Sequence, residues 1–365
     1  MARIKEIAAA IEKLAPLSVQ EDYDNAGLII GDPEDEVKGC LICLDVTEDI
    51  ISEAHKNDMN LIISHHPVIF GKLSKLTGQS ATERIVMKAI KEGIAVYSAH
   101  TNLDNIESGV SQILGRKLGL IKMQVLRKSS GLLRKLVTFC PRDHADIVRE
   151  AIFSAGAGHI GNYDRCSFNA EGMGSFRGDE STNPFTGEPG KLHFENEVRI
   201  ETVFPAYLEK KIIHALIEAH PYEEVAYDIY KLENEFGKIG MGIIGELTNE
   251  MTENDFLQKL KDELKVPCIR HSKLKGKMVR KVAVCGGSGS FLIADAILKG
   301  ADFYITADIK YHQFQAPEGK MVIADVGHFE SEQFTCQFLA DYLEKNFTNF
   351  AVRISDTPVN PVNYF

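Results

Sequence analysis

Several apolar runs in this sequence end in side chains that can bind metal ions. Leu61–Ser64 (LIIS) is followed by His65-His66-Pro67, and Ile94–Ala99 (IAVYSA) by His100-Thr101-Asn102-Leu103-Asp104. Asp302–Thr306 (DFYIT) leads to Asp308 and then His312, and Met321–Val326 (MVIADV) leads to Gly327, His328 and Glu332. Imidazole and carboxylate without thiolate suit Zn²⁺, Mn²⁺, Fe²⁺, Co²⁺ or Ni²⁺ and disfavour Cu(I) or an iron–sulfur cluster. His328 and Glu332 are spaced i, i+4, so they share one face if a helix starts at His328. His65 and His66 point apart in an extended chain, so each can serve a different ion, with Asp104 or Glu332 bridging. Two cations about 3.5–4 Å apart would lower the pKa of a shared water from about 15.7 toward about 7, giving hydroxide at neutral pH. His100 and His312 are read as supporting groups around the ligands. Taken singly, each motif has an ordinary structural explanation. Their recurrence after successive strands is the signal, because ligands of open α/β sheets bind beyond the carboxyl ends of strands.

Other motifs carry less. Gly286-Gly287-Ser288-Gly289-Ser290 joins a strand to a helix start, where exposed N–H groups favour anions. It lacks the Gly-Lys-Ser/Thr ending of a P-loop, so a phosphate cradle and a tight structural turn both remain open. Cys40 and Cys43 form a C-x-x-C, but three residues apart on a strand they face opposite sides and read as core thiols. Asp24-Asn25 can be a plain turn. His220-Pro221-Tyr222-Glu223-Glu224 reads as a helix-to-strand turn dense enough in polar groups to hold a ligand.

These motifs need a scaffold that brings strand ends together. Ile4–Leu14 has helical periodicity, Gly39–Val46 reads as a buried strand, and Thr47 caps a following helix. Thr82–Glu92 is a helix stopped by Gly93. The pattern returns near the C-terminus, with the strand Lys281–Cys285, a helix near Phe291–Leu298, a long helix from about Phe329 to Asn346 and the strand Phe350–Ile354. Continuous apolar runs imply burial on both faces, hence a mainly parallel sheet covered by helices. The middle differs: strand Leu136–Pro141, helix Asp143–Ala155, strand Tyr163–Phe168, a glycine-rich loop from Glu171 to His193, strand Glu197–Phe204, helix Tyr207–Ala219 and strand Val225–Leu232. That is the β-α-β-β-α-β order of a ferredoxin-like unit. The expected fold is therefore α/β: a discontinuous metal-binding core of residues 1–129 and 236–365, interrupted by an insert at 130–235.

Composition agrees with a soluble enzyme or binding protein. The chain has 365 residues, 44% apolar and 25% charged, which excludes disorder and collagen-like repeats. With 41 Lys+Arg against 52 Asp+Glu, the net charge of −11 argues against a general nucleic-acid binder. The seven scattered cysteines fit free thiols in a reducing compartment. No run reaches the ~18 apolar residues of a membrane span, and the N-terminus lacks a secretory pattern. The expectation is a cytoplasmic protein.

Tyr23-Asp24-Asn25-Ala26-Gly27-Leu28, Ser64-His65-His66-Pro67, the His100–Asp104 run, Thr306-Ala307-Asp308 to His312, and Gly327-His328-Phe329-Glu330-Ser331-Glu332 together resemble the GTP cyclohydrolase 1 type 2 homologue family, also called the NGG-interacting-factor-like family. The central segment, with His220–Glu224, resembles the PII-like insert of its longer bacterial members. The resemblance implies two divalent cations per chain, zinc first, held by His65, His66, Asp104, His328 and Glu332. It also implies a toroidal homohexamer with metal sites facing an internal cavity. Two functions compete: a metal-dependent hydrolase on a nucleotide-like or other small substrate, such as opening the GTP imidazole ring, and a non-enzymatic metal-handling or regulatory protein with a ligand-sensing insert.

Overall fold

Ile4, Ile7 and Ile11 recur along one side of the helix Ile4–Leu14 and are fully buried, while Lys5 and Glu6 between them face water. That stripe packs on one face of a five-stranded sheet. The computed structural model describes residues 2–365. The chain forms two compact units, one running up to Lys128 and resuming at Lys238–Phe365, the other spanning Ser129–Gly237.

The first unit holds two mixed sheets where the sequence suggests a single mainly parallel one. In the first, the strands lie in the order Gly27–Ile30, Ala95–Ser98, Leu61–Ser64, Gly39–Cys43, Ala351–Ile354, and only Gly27–Ile30 is antiparallel to its neighbour. Cys40, Ile42, Leu61, Ile63 and Tyr97 face the helices Ile4–Leu14 and Phe334–Asn346. Leu41, Cys43, Ile62 and Val96 face Glu48–Lys56 and Ala81–Glu92 on the other side. Both faces are dry, which is why these strands read as unbroken apolar runs; each buried Ile or Leu is worth about 1.5–3 kcal/mol. Cys40 and Cys43 fall into different core layers and are free thiols, as are the other five cysteines.

The second sheet runs Arg270–His271, Val322–Asp325, Phe303–Ala307, Met278–Ser288, Phe236–Thr252, Leu120–Ser129. Its three central strands are parallel, with antiparallel partners Arg270–His271 and Phe236–Thr252 outside them. The long strands Leu120–Ser129 and Phe236–Thr252 mix buried and exposed positions, and the apolar stretch Ile239–Gly245 of the second is diluted by three glycines, which are poor strand formers. The apolar-run criterion therefore passes over them. The expected long helix after His328 is two pieces, His328–Glu332 and Phe334–Asn346.

The second unit is a four-stranded antiparallel sheet in the order Ser167–Phe176, His193–Pro205, Leu133–Pro141, Tyr227–Leu232. Its helices Ala145–Ser154 and Glu209–Ala219 bury Val148, Ile152, Ile212 and Leu216 against Leu136, Cys140, Val198, Ile200 and Phe204. The element order is β-α-β-β-α-β. One strand is displaced from its expected place: Tyr163–Phe168 gives way to Ser167–Phe176, which enters the region read as loop. Ten consecutive residues there pair with Thr202 back to His193, so hairpin pairing overrides the low strand propensity of Gly172 and Gly174.

Candidate metal centre

The strands Leu61–Ser64 and Gly39–Cys43 stay paired past their ends, with the His65 and His66 amides donating to the Cys43 and Leu44 carbonyls at 3.2 and 2.9 Å. Ser64 Oγ donates to the His66 carbonyl at 2.7 Å and lies 2.8 Å from Ser98 Oγ. Those contacts fix the backbone from which both imidazoles project. The His100–Asp104 run is fixed in a comparable way. Thr101 N donates to Asp24 Oδ2 at 3.0 Å, Asn102 Nδ2 to the Ala15 carbonyl at 2.7 Å, and Leu103 is buried in the core. The remaining groups come from the other sheet: the helix His328–Glu332 follows the strand Val322–Asp325 through Gly327.

These elements bring His65, His66, Asp104, His328 and Glu332 together. His65 Nε2 lies 3.6 Å from Asp104 Oδ1 and 3.8 Å from Glu332 Oε1. His66 Nε2 and His328 Nε2 lie 3.0 and 3.1 Å from Glu332 Oε2 and 3.3 Å from each other. The two oxygens of Glu332 thus face two different groups of donors. Ligand atoms of His65, His66 and Glu332 lie within 4.8 Å of one another, and this cluster could hold a metal ion.

Each imidazole is held by its other nitrogen. Nδ1–H of His65 donates to the Ala99 carbonyl at 2.7 Å, that of His66 to Asp45 Oδ1 at 2.8 Å, and that of His328 to Asp308 Oδ2 at 2.7 Å. This leaves the Nε2 atoms aimed into the cluster, the orientation that metal-binding histidines take from their outer partners. His65 is fully buried, and its Nε2 and the Asp104 Oδ1 beside it have no hydrogen-bond partner. A buried polar atom left unmade costs about 1–3 kcal/mol. A cation placed between these two atoms would satisfy both, so the donor set fits a divalent metal.

Electrostatics follow from this crowding. Burial opposes charge on His66, but its hydrogen bonds to Asp45 and Glu332 carry its pKa up to about 10. Burial opposes charge on His328 too, yet Glu332 and Asp308 raise it to about 9. Burial pushes the Asp104 carboxyl up to about 7, against the pull of His65. Burial also disfavours the Glu332 carboxylate, but His328, His65 and His66 outweigh it and hold Glu332 well below the usual range.

The other candidates fall into supporting or separate places. His100 stands beside the cluster, its ring 5.4 and 5.5 Å from those of His65 and His66, and its Nδ1–H donates to Asp24 Oδ1 at 2.7 Å. Burial disfavours the Asp24 carboxylate, but His100 and Thr101 outweigh it and bring its pKa down to about 2. Asn25 holds the Ile69 carbonyl at 2.8 Å. Asp308 is an anchor for His328, while His312 packs against Tyr311 on a short helical turn and joins no part of the cluster. In the Gly286–Ser290 segment, whose first three residues prolong the strand Met278–Ser288 past the expected end at Cys285, Gly286 N donates to Ser111 Oγ at 3.3 Å and Gly287 N to Ser331 Oγ at 2.9 Å. Those amides are engaged within the protein. His220 has both nitrogens bonded, to the Phe139 carbonyl and the Tyr222 amide, and burial lowers its pKa. Sequence reasoning passed over Asp45, although it too follows a strand; the same strand-end criterion finds it once applied to Gly39–Cys43.

The geometry has counterparts. A Bacillus subtilis protein named GTP cyclohydrolase 1 type 2 homolog is 39% identical over 99% of this chain and 98% of its own length. A Halalkalibacterium halodurans protein of the same name is 42% identical over 92% of this chain and 90% of its own. Among solved structures, a Bacillus cereus protein related to NIF3 superposes with a TM-score of 0.87 at 39% identity, covering 100% of this chain and 99% of that one. The family model described as Duf34/NIF3 (NGG1p interacting factor 3) matches residues 2–361. With a match that spans both halves of the divided unit and everything between them, the chain belongs to the Duf34/NIF3 family.

Proposed function

We propose that the cluster is a dinuclear metal centre and that the protein is a metal-dependent hydrolase acting on a small, nucleotide-like substrate. The observation that carries the reading is the sealed pair His65 Nε2 and Asp104 Oδ1, partnerless and 3.6 Å apart beside Glu332. In this reading His65, Asp104 and Glu332 would hold one cation, and His66, His328 and Glu332 would hold the other. Zinc is the first ion to test, and iron, manganese, cobalt and nickel suit the same donors. When bound, such a pair supplies Lewis acidity and brings the pKa of water from about 15.7 toward about 7.

The chain's own residues do the rest. The Ala99 carbonyl, Asp45 and Asp308 hold the imidazoles so that no reorientation is needed at the moment of reaction. His100, with Nδ1–H on Asp24 and its ring beside those of His65 and His66, is the residue assigned to move a proton on the substrate. GTP is the first substrate to test, because the relatives are named after its cyclohydrolase.

Elemental analysis of untagged protein should give about two divalent ions per chain, lost in His65→Ala and Glu332→Ala. Metal-loaded protein should then consume GTP or a related compound, with turnover abolished in Asp104→Ala and reduced at least tenfold in His100→Asn while metal content is kept. Two ions without turnover, or turnover unchanged in Asp104→Ala, removes the hydrolase and leaves a metal-handling or regulatory protein. The engaged amides of Gly286 and Gly287 favour that second reading, since neither is left to hold a substrate phosphate. Assembly into a toroidal homohexamer is part of the same proposal, and light scattering of the intact protein tests it.

A further inference from the structure

The antiparallel sheet of Ser129–Gly237 covers one face with its two helices and leaves the other without them. Pairing of Phe139 with Arg199 and of Gly172 with Glu197 puts Phe139, Gly174, Phe176 and Glu197 on that second face. The segment 177–192 folds over it. Its Asn183 amide donates to the Glu223 carboxylate at 3.1 Å, and Gly190 N closes the base of the segment on the Gly178 carbonyl at 2.8 Å. A cavity of about 460 Å³ lies between, within the size range of small-molecule sites, roughly 300–1,000 Å³.

Its lining is aromatic and acidic. Phe176 and Phe185 stand 6.0 and 6.3 Å, centroid to centroid, from Tyr222, and Phe139 joins them in the lining. Tyr222 O–H donates to Glu197 Oε1 at 2.8 Å, which fixes that carboxylate against the rings. On its other side Glu197 lies over Gly174, where a Cβ would meet Oε2 at 2.1 Å, so the absent side chain is what makes room for the carboxylate. Glu223 and Glu224 also line the cavity, against a single guanidinium, Arg177.

Each simpler ligand class fails on this lining. Three carboxylates against one arginine disfavour a phosphate-bearing anion. A bound divalent ion needs several converging donors; the described His, Cys, Asp and Glu ligand atoms that converge within 4.8 Å of one another, those of His65, His66 and Glu332, are not in this lining. Aromatic faces beside carboxylates instead suit an organic cation, which gains attraction from the ring faces and a charge-assisted hydrogen bond from the acid.

We propose that this face is a binding site for a small organic cation, with Phe139, Phe176, Phe185 and Tyr222 receiving its apolar body and Glu197 and Glu224 its ammonium or guanidinium group. The site is separate from the metal cluster and does not rest on the hydrolase reading. The test is calorimetry and saturation-transfer NMR on the full-length, metal-loaded protein, using phenethylammonium as probe. Neutral 2-phenylethanol, anionic 3-phenylpropanoate and ATP serve as comparisons. Phenethylammonium should bind with Kd below about 1 mM, the reach of a well-seated ligand of this size. Glu197→Gln should weaken it about tenfold while leaving 2-phenylethanol unchanged, and Phe185→Ala should weaken both. His65→Ala should leave phenethylammonium binding intact. Equal or tighter binding of 3-phenylpropanoate or ATP overturns the proposal. So does a phenethylammonium affinity unmoved by Glu197→Gln, or no binding at several millimolar probe.

Discussion

Three imidazoles at the candidate centre carry one device in three forms: an acceptor on Nδ1 that leaves Nε2 aimed inward. Without a metal, His66 and His328 hold protons up to about 10 and about 9. A metal takes the neutral imidazole, so binding at pH 7.5 should release close to two protons per chain. The sign follows from competition: acid keeps the protons on and weakens binding, and affinity rises with pH until both groups have titrated. Calorimetry in buffers of different ionisation enthalpy measures the number. Asp45 tests the device without touching a ligand. Asp45→Ala should weaken metal affinity about 10–100-fold with the fold intact, read by competition with a chromogenic chelator. The five side chains that the fold brings together were legible as candidates because His and acid after a strand form a readable local pattern. Asp45 and Asp24 were harder, because an anchor is defined only by the ring it meets.

At the scale of elements, the glycine-rich loop serves the cluster by what it lacks. Gly287 has φ +60°, and a Cβ there would stand 2.2 Å from Glu332 Oε1. Ser331 Oγ accepts from the same residue's amide, tying loop to helix. Gly287→Ala should therefore lose metal as well as stability. Gly276→Ala is the matched control, since Gly276 has φ +68° and nothing within 4 Å of its Cβ. It should cost only the backbone strain, about 1–2 kcal/mol, and keep its metal. Urea midpoints and elemental analysis of the two variants separate the effects. An unusual backbone here was legible in the glycines, although the first three residues end a strand and make no tight turn; the contact with Glu332 was not legible, because 45 positions separate Gly287 from Glu332.

At the scale of the molecule, the cluster joins two sheets. His65, His66 and Asp104 come from segments beyond the five-stranded sheet, Asp104 from the short helix Thr101–Asp104, and His328 and Glu332 from beyond the six-stranded one. Donors so far apart in sequence meet only in the folded chain, so a metal binds the native state and stabilises it. At a hundredfold excess over Kd one ion adds about 2.7 kcal/mol, which for a unit of this size is a rise in Tm of about 5–10 °C. Thermal melts with and without chelator should show that rise, and His65→Ala should abolish it. Among the described residues no helix is long and apolar enough to cross a membrane.

The amino-acid order by itself determined which side chains could bind a cation and that they follow buried strands, because strand burial and ligand chemistry are both local properties. It also carried the β-α-β-β-α-β order of the middle segment. Tertiary structure alone decided that two sheets, rather than one, present those strand ends. It also chose which acids orient which rings, and slid the strand Ser167–Phe176 into the glycine-rich stretch. The aromatic cavity beside Glu197 was settled there too. Each of these depends on pairing and packing between residues distant in sequence, whose energies no local pattern contains.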